Sequence, residues 1–395
     1  MNVLHITADH DFGGTESILV NCARYRDACP ELHQEFLMFK DGILKEQLLA
    51  LGVKVHILGQ VQLKWPIRVL QARYAFRKIL ARQHYDFVIY HQHPFMPLAL
   101  DSVAKTFGCL SVRWFHNQIE GNYWPEIALR KCKPGFPDLS IFCSEFLKRQ
   151  TGRPGNSRVL YPPVPPNNAL LCPNERSELR REVGTAEDAI VITQVSRLGR
   201  DKGHREHIEA LALLRDQPGW VCWMVGGASG EEESAYLAQL QALTQQLGIA
   251  GRVNFLGRRA DIARLLSASD IYCQPNIPLP SYSGKEPETA RCEAFGISII
   301  EALYAGLPVI TSAIGGALEI LTETTGTMVP PQDVRRLARE LKNLIENPQL
   351  REIARTAGPR RASELCNPAS QVLELKQILR NVKQGSATIA RHAAI

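Results

Sequence analysis

The sequence has no C-x-x-C pair, no long apolar run and no block of charge of one sign, and each absence narrows what the chain can be. Its ten cysteines sit singly, from Cys22 to Cys366, as small hydrophobes do in a reducing compartment and not as a disulfide framework or zinc site would be spaced. No stretch approaches about 18 uninterrupted apolar residues, so no membrane span is expected. The opening residues Met1 to Thr7 lack a basic segment followed by a long apolar one, so no signal peptide is expected and the location is read as cytoplasmic. The net charge is only +6, and no nucleic-acid-binding motif accompanies it.

What is present is an ordinary globular composition, 45% hydrophobic and 22% charged, which disfavours long disorder, collagen and coiled coil. A chain of 395 residues divides naturally into two domains at roughly 150 residues each. The charge is uneven: residues 1–165 hold 20 Lys+Arg against 14 Asp+Glu, and the rest of the chain holds 26 of each.

Apolar runs alternate with amphipathic stretches along the whole chain, the pattern of an α/β protein with parallel sheets. In the first half, strands are expected at 3–7, 35–39, 54–58, 86–91, 109–115 and 139–144, with helices at 17–26 and 67–82. The segment Tyr161-Pro162-Pro163-Val164-Pro165-Pro166-Asn167 carries four prolines in seven residues, which neither a helix nor a central strand can cross. A helix at 175–183 follows, then strands at 189–195, 220–225, 252–256, 270–274, 308–312 and 327–329. A last helix is expected at 368–382, with the Ser/Ala-rich tail frayed. The fold class is therefore α/β, two doubly wound Rossmann-like domains facing an interdomain cleft. The domains are 1–165 and 168–365, with 366–395 as a C-terminal segment. Such sheets bind ligands at the carboxyl ends of their strands.

Five segments are candidates for chemistry. Gly13 and Gly14 follow the first strand and open the first helix, where backbone can approach a ligand and N–H groups can meet an anion. The pattern is not G-x-G-x-x-G and no acidic residue ends the second strand, so a dinucleotide fingerprint fails; a simple tight turn fits equally well. Arg197 and Lys202 lie in the loop after the first strand of the second half, where a guanidinium and an ammonium five residues apart can converge on one diphosphate. The bland alternative is a solvated basic loop. The third segment runs Glu293-Ala294-Phe295-Gly296-Ile297-Ser298-Ile299-Ile300-Glu301. Glu301 stands among apolar residues of a helix that Gly306 and Pro308 terminate, and a carboxylate there suits paired ligand hydroxyls as well as the polar face of an ordinary helix. Glu293 precedes the Phe295-Gly296 turn, and Gly296 and Ile297 offer backbone N–H groups. His116 ends an apolar strand, a position that suits function, although a lone histidine is also a common structural residue. Gly315-Gly316 is a further turn that could face the same ligand.

Together these segments resemble the retaining glycosyltransferases of sequence family 4, whose fold is GT-B. Gly13-Gly14-Thr15-Glu16 looks like the family's N-terminal glycine loop, and Glu293 and Glu301 match its E-x7-E motif within E-A-F-G-x-x-x-x-E-A. The flanks 252–257, 270–275 and 306–310 are similar too. The resemblance implies a sugar transfer from a nucleoside-diphosphate sugar to a hydroxyl acceptor with retention of configuration, no cofactor and no essential metal. It also implies roles. Arg197 and Lys202 would neutralise the leaving diphosphate, and Glu301 would bind the ribose hydroxyls. Glu293 would hold a hydroxyl of the transferred sugar beside the backbone of Phe295, Gly296, Ile297 and Ser298. Gly14 would meet the donor phosphates, His116 would lie near the donor sugar, and the C-terminal helix would cross back to the first domain. A related epimerase or phosphorylase, or a silent nucleotide-sugar-binding protein, are the competing readings.

Two features are this chain's own. The segment 276–292 is longer than the family's usual link and is read either as a lid that shapes substrate choice or as a tolerated surface insertion. The basic first half suggests an anionic or lipid-linked acceptor and a peripheral contact with the inner membrane surface. On helix 67–82, Val69, Ala72, Phe76, Ile79 and Leu80 form an apolar stripe with Arg68, Arg73 and Arg77 around it. That stripe suits an anionic lipid surface, and it equally suits a helix that covers a sheet.

Overall fold

A computed structural model describes the whole chain except residues 9–12, 60–64, 92–93, 119–123, 133–135, 152–154, 167–169, 280–291 and 394–395. The chain divides into two compact units, Met1–Val164 together with Cys366–Ile395, and Pro165–Leu365.

Unit 1 alternates strand and helix from its first residue: β1 (Asn2–Thr7), α1 (Gly14–Arg24), β2 (His33–Met38), α2 (Ile43–Ala50), β3 (Val55–Ile57), α3 (Pro66–Arg82) and β4 (Phe87–His91). It continues through α4 (Phe95–Thr106), β5 (Leu110–Phe115), α5 (Trp124–Cys132), β6 (Leu139–Phe142), α6 (Glu145–Thr151) and β7 (Ser157–Val159). Unit 2 repeats the plan with α7 (Pro173–Glu182), β8 (Ile190–Val195), α8 (His204–Ala212), β9 (Trp220–Val225), α9 (Glu231–Gln246), β10 (Val253–Gly257), α10 (Ile262–Ser267) and β11 (Ile271–Gln274). Then come α11 (Ile297–Tyr304), β12 (Val309–Ser312), α12 (Ala317–Ile320), β13 (Gly326–Val329), α13 (Val334–Glu346) and α14 (Pro348–Cys366). The chain ends in α15 (Pro368–Ala393), which belongs to unit 1.

The strand order is β3-β2-β1-β4-β5-β6-β7 in unit 1 and β10-β9-β8-β11-β12-β13 in unit 2. The paired strands run parallel throughout, which follows from helical crossovers that cover both faces. Alternation along a strand divides its side chains between two cores. Leu37 joins Leu4, Ile6, Phe76 and Leu100 on one face, while Phe36 and Met38 meet Leu19, Leu44 and Leu48 on the other. Unit 2 is built alike, with Ile192 and Met224 on one face and Val191, Trp223 and Val225 on the other. In each sheet the strand order reverses direction at one place, beside β1 and β4 in unit 1 and beside β8 and β11 in unit 2. Ligand sites of open α/β sheets form at the carboxyl ends of such strands.

Two sequence expectations change. The three-residue edge strand β7, Ser157-Arg158-Val159, was missing from the expected strands because it contains no apolar run. The last helix extends beyond the expected 368–382: its backbone is helical to Ala393, in a stretch free of proline.

Candidate functional site

In unit 2 the candidate residues gather beyond β8 and β11. After β8 the chain turns through Ser196 to Gly203, and Gln194 fixes the turn. Its Nε2 donates to the Lys202 carbonyl at 2.8 Å, and its Oε1 lies 2.9 Å from Nδ1 of buried His207. Gly203 is at φ +69°, and a Cβ there would sit 1.8 Å from the Pro275 carbonyl oxygen, so only glycine lets this turn press against the end of β11. Lys202 is consequently turned inward, with its side chain 13% exposed. Its ammonium donates to Glu293 Oε2 at 2.6 Å and lies 3.2 Å from an Asp201 oxygen. Burial pulls the Lys202 pKa down, but Glu293 and then Asp201 outweigh it and hold the group above its usual value. Lys202 therefore stays charged.

Arg197 behaves differently. Its side chain is 68% exposed, with Glu233 at 3.7 Å as its nearest carboxylate. It is near enough for its charge to oppose that of Lys202. The two cations thus share a neighbourhood without sharing a partner: Lys202 is engaged by Glu293, and the Arg197 guanidinium faces solvent.

Gly296, at φ +115°, opens α11, whose short apolar sequence buries Ile299, Ile300, Ala302 and Leu303 completely. Glu301 rides on this helix, half-buried. Among the described residues nothing hydrogen-bonds or pairs with its carboxylate, and burial pushes its pKa up to about 7. This is not the solvated face of an ordinary helix; it is a desolvated acid with open acceptor positions. Ser298, one turn earlier, donates to Gln274 Oε1 at 3.0 Å, and Tyr272 Oη donates to the same oxygen at 2.6 Å. Gln274 Nε2 in turn donates to Asn276 Oδ1 at 3.1 Å, and the buried Asn276 Nδ2 has no hydrogen-bond partner among the described residues. Sequence reasoning missed Asp201, Gln274 and Asn276; the available signals were the place of Asp201 beside Lys202 and of Gln274 and Asn276 at the end of β11. Phe295 is buried, while Ile297 and Ser298 are half-buried. The Gly315-Gly316 turn packs on this segment. A Cβ on Gly315 would meet the Glu293 carbonyl oxygen at 2.2 Å, one on Gly316 would meet the Ala294 carbonyl oxygen at 2.4 Å, and the Gly316 N–H donates to the Glu293 carbonyl at 2.9 Å. These glycines hold Glu293 in place. Most of the long segment at 276–292 lies outside the described residues.

In unit 1, Gly13 caps α1 at φ −146° and Gly14 begins the helix. Gly13 is extended, so a turn that needs positive φ is not the reason for this glycine. Its N–H donates to Glu16 Oε2 at 3.0 Å, so this donor already has an internal carboxylate.

His116 follows β5 and is 6% exposed. Its Nε2 lies 2.8 Å from His91 Nδ1, His91 Nε2 lies 2.9 Å from His5 Nδ1, and His5 Nε2 lies 3.1 Å from Gln34 Oε1. Burial lowers the His116 pKa to about 3 and the His5 pKa to about 4, and it holds His91 well below the usual value. All three are neutral at pH 7. Among the described residues, the buried His116 Nδ1 has no hydrogen-bond partner.

Residues 175–361 match the family model of glycosyl transferases group 1. Among curated proteins, the chain is 30% identical over 197 residues to D-inositol 3-phosphate glycosyltransferase of Mycobacterium marinum, covering 49% of this chain and 38% of that protein. It is 28% identical over 215 residues to lipopolysaccharide glucosyltransferase WaaG of Escherichia coli, covering 53% and 52%. The chain therefore spans about half or less of the length of these relatives. Among solved structures, Anabaena Alr3699/HepE in complex with UDP and glucose superposes with a TM-score of 0.79 at 22% identity, over 96% of this chain and 99% of that one. A glycosyltransferase from Rickettsia africae gives 0.81 at 20% identity, over 96% and 98%. The fold is GT-B.

Proposed function

We propose that the chain, whose residues 175–361 match the model of glycosyl transferases group 1, transfers a sugar from a nucleoside-diphosphate donor to a hydroxyl acceptor, with retention of configuration. The observation that carries this reading is the trio Lys202, Glu293 and Glu301. It comprises a half-buried cation held by one carboxylate, with a second, desolvated carboxylate left open. An incoming diphosphate competes with Glu293 for Lys202 and recruits the exposed Arg197. Two unit charges about 4 Å apart attract by roughly 4 kcal/mol near a protein surface, against about 1 in water, so this pair can stabilise the leaving diphosphate without a divalent cation. Freed from Lys202, Glu293 accepts a hydroxyl of the transferred sugar beside the backbone of Phe295, Gly296, Ile297 and Ser298. Glu301 takes the paired ribose hydroxyls, and each hydrogen bond to a charged group contributes about 1.5–3 kcal/mol. Gly14 contributes backbone to the donor phosphates, and His116 accepts a hydrogen bond from a sugar hydroxyl.

UDP-sugars are the first donors to test, since the Anabaena structure holds UDP and glucose. The expected result is nucleotide release that requires acceptor and persists in EDTA. Arg197→Ala and Glu301→Ala should each lower kcat/KM by about tenfold or more. Near-wild-type values for both would remove the site assignment. Donor binding without turnover, whatever the acceptor, would favour a silent binding protein.

We also infer a peripheral membrane contact for a cytoplasmic enzyme with a lipid-linked or anionic acceptor, on a different face from the one the sequence suggests. Ala72, Phe76 and Leu80 of α3 are buried in the unit 1 core, with Val69 and Ile79 against them, so that stripe covers the sheet. The opposite side leaves Trp65 54%, Ile67 71%, Leu70 64% and Tyr74 62% exposed. Arg68, Arg77, Lys78 and Arg82 are exposed along the same helix. Among the described residues no helix is long and apolar enough to cross a membrane, so the contact we infer lies at the surface: apolar anchors flanked by cations suit an anionic lipid surface.

A further inference from the structure

The strand order of unit 1 brings together four side chains that the sequence keeps apart: Gln34 on β2, His5 on β1, His91 on β4 and His116 just past β5. They form one unbranched row of hydrogen bonds across four neighbouring strands. The His91 and His116 rings are 11° from parallel with centroids 5.1 Å apart. With the nitrogens at 2.8 Å, that separation means the rings meet edge to edge and not face to face. Among the described residues no group of three such side chains could hold a metal ion, and here the nitrogens bond to one another in series.

The direction of the row is fixed at its far end. Gln34 Nε2 donates to the Cys22 carbonyl at 3.4 Å, so Oε1 is the atom facing His5, and a carbonyl oxygen only accepts. His5 Nε2 must then carry its proton, which leaves Nδ1 bare to accept from His91 Nε2. His91 Nδ1 is bare in the same way and accepts from His116 Nε2. Each neutral ring has one proton, so the sequence of donors ends with His116 Nδ1 as a lone pair. That atom is buried and has no partner among the described residues. Leaving an acceptor buried and unsatisfied costs about 1–3 kcal/mol, and such an atom in a native fold calls for an explanation.

We propose that Gln34, His5 and His91 are positioning residues that lock His116 as its Nε2–H tautomer and so present Nδ1 as a fixed acceptor for a ligand hydroxyl. The row is a clamp and not a proton wire. A proton taken up at Nδ1 could pass along the imidazoles only as far as Gln34, whose amide takes none. His116 is therefore held to orient a hydroxyl, and a proton taken up at Nδ1 would stay on the three imidazoles. Only the identity of that ligand, a sugar, rests on the proposed transferase reading; the clamp does not.

The test is a long-range ¹H–¹⁵N spectrum of the full-length, histidine-labelled protein, with resonances assigned by His116→Gln. The expected result is a protonated Nε2 and a bare Nδ1 at His116 near pH 7. Gln34→Leu removes the anchoring acceptor and should let His116 populate both tautomers. It should also lower kcat/KM for UDP-glucose by about tenfold, the effect of one misdirected hydrogen bond. Gln34→Glu keeps an acceptor in place and should restore both the spectrum and most of kcat/KM. An Nδ1–H tautomer in the wild type, or a Gln34→Leu spectrum identical to it, overturns the proposal. Should Gln34→Leu fail to fold, the wild-type and Gln34→Glu spectra still decide. An intact clamp in a protein that turns over no sugar nucleotide would instead overturn the transferase reading.

Discussion

At the scale of single residues, Glu301 shows how the needs of a site work against stability. Its carboxyl titrates near 7 in the fold because of burial, against about 4.3 when exposed. Between those values the folded chain holds a proton that the unfolded chain has released. Stability of the ligand-free protein therefore falls as pH rises through that window, by up to about 1.4 kcal/mol per unit. Ligand hydroxyls donating to the carboxylate reverse the preference, so donor affinity should improve as pH rises through 7. We predict that Glu301→Gln raises Tm relative to wild type at pH 8, with the difference shrinking towards pH 5. The same change should weaken nucleoside-diphosphate binding by about tenfold or more, the loss of one charged hydrogen bond. Calorimetry across pH with and without UDP separates the two effects, and parallel Tm–pH curves would contradict the desolvated carboxylate.

At the scale of elements, legibility followed burial. Strands such as β4, β6, β11 and β12 are buried along their whole length, and buried apolar runs are what a sequence displays most plainly. Glu301 stands out in the sequence for the complementary reason, as an acid set among apolar residues. The histidine row was not readable at all, because His5 and His91 are 86 residues apart and only the strand order makes them neighbours. Helix α3 falls between these cases. Its periodicity contains two stripes at helical spacing, and a helical wheel alone cannot say which one the sheet takes. Once Phe76 and Leu80 are in the core, the exposed Ile67, Leu70 and Tyr74 become the surface to explain. Full-length protein should float with vesicles rich in anionic lipid at low salt and not with zwitterionic ones. Ile67→Glu combined with Leu70→Glu should abolish flotation without changing Tm by more than a degree or two, since exposed substitutions usually shift stability by less than about 0.5 kcal/mol. Equal flotation of the variant would exclude this face.

At the scale of the molecule, the division into units redistributes the charge in a way that sequence halves obscure. With Cys366–Ile395 assigned to it, unit 1 holds 24 Lys+Arg against 15 Asp+Glu, while unit 2 holds 22 against 25. The C-terminal helix therefore adds to a basic unit, and two of its lysines pair with the few acids there, Lys376 with Glu31 and Lys383 with Asp86. Those exposed pairs contribute little on their own; the apolar side of α15 does more. Val372, Leu375, Ile378, Leu379 and Val382 are all buried, and at about 1.5–3 kcal/mol for each buried side chain they amount to roughly the whole stability of a typical domain. The chain therefore completes the fold of unit 1 only after unit 2 has been made. Removing residues 368–395 should collapse the protection of unit 1 amides against hydrogen exchange while leaving β8 to β13, with their separate cores, as slow as in the full chain. Unchanged exchange in β1, β2 and α1 would show that unit 1 stands without its last helix.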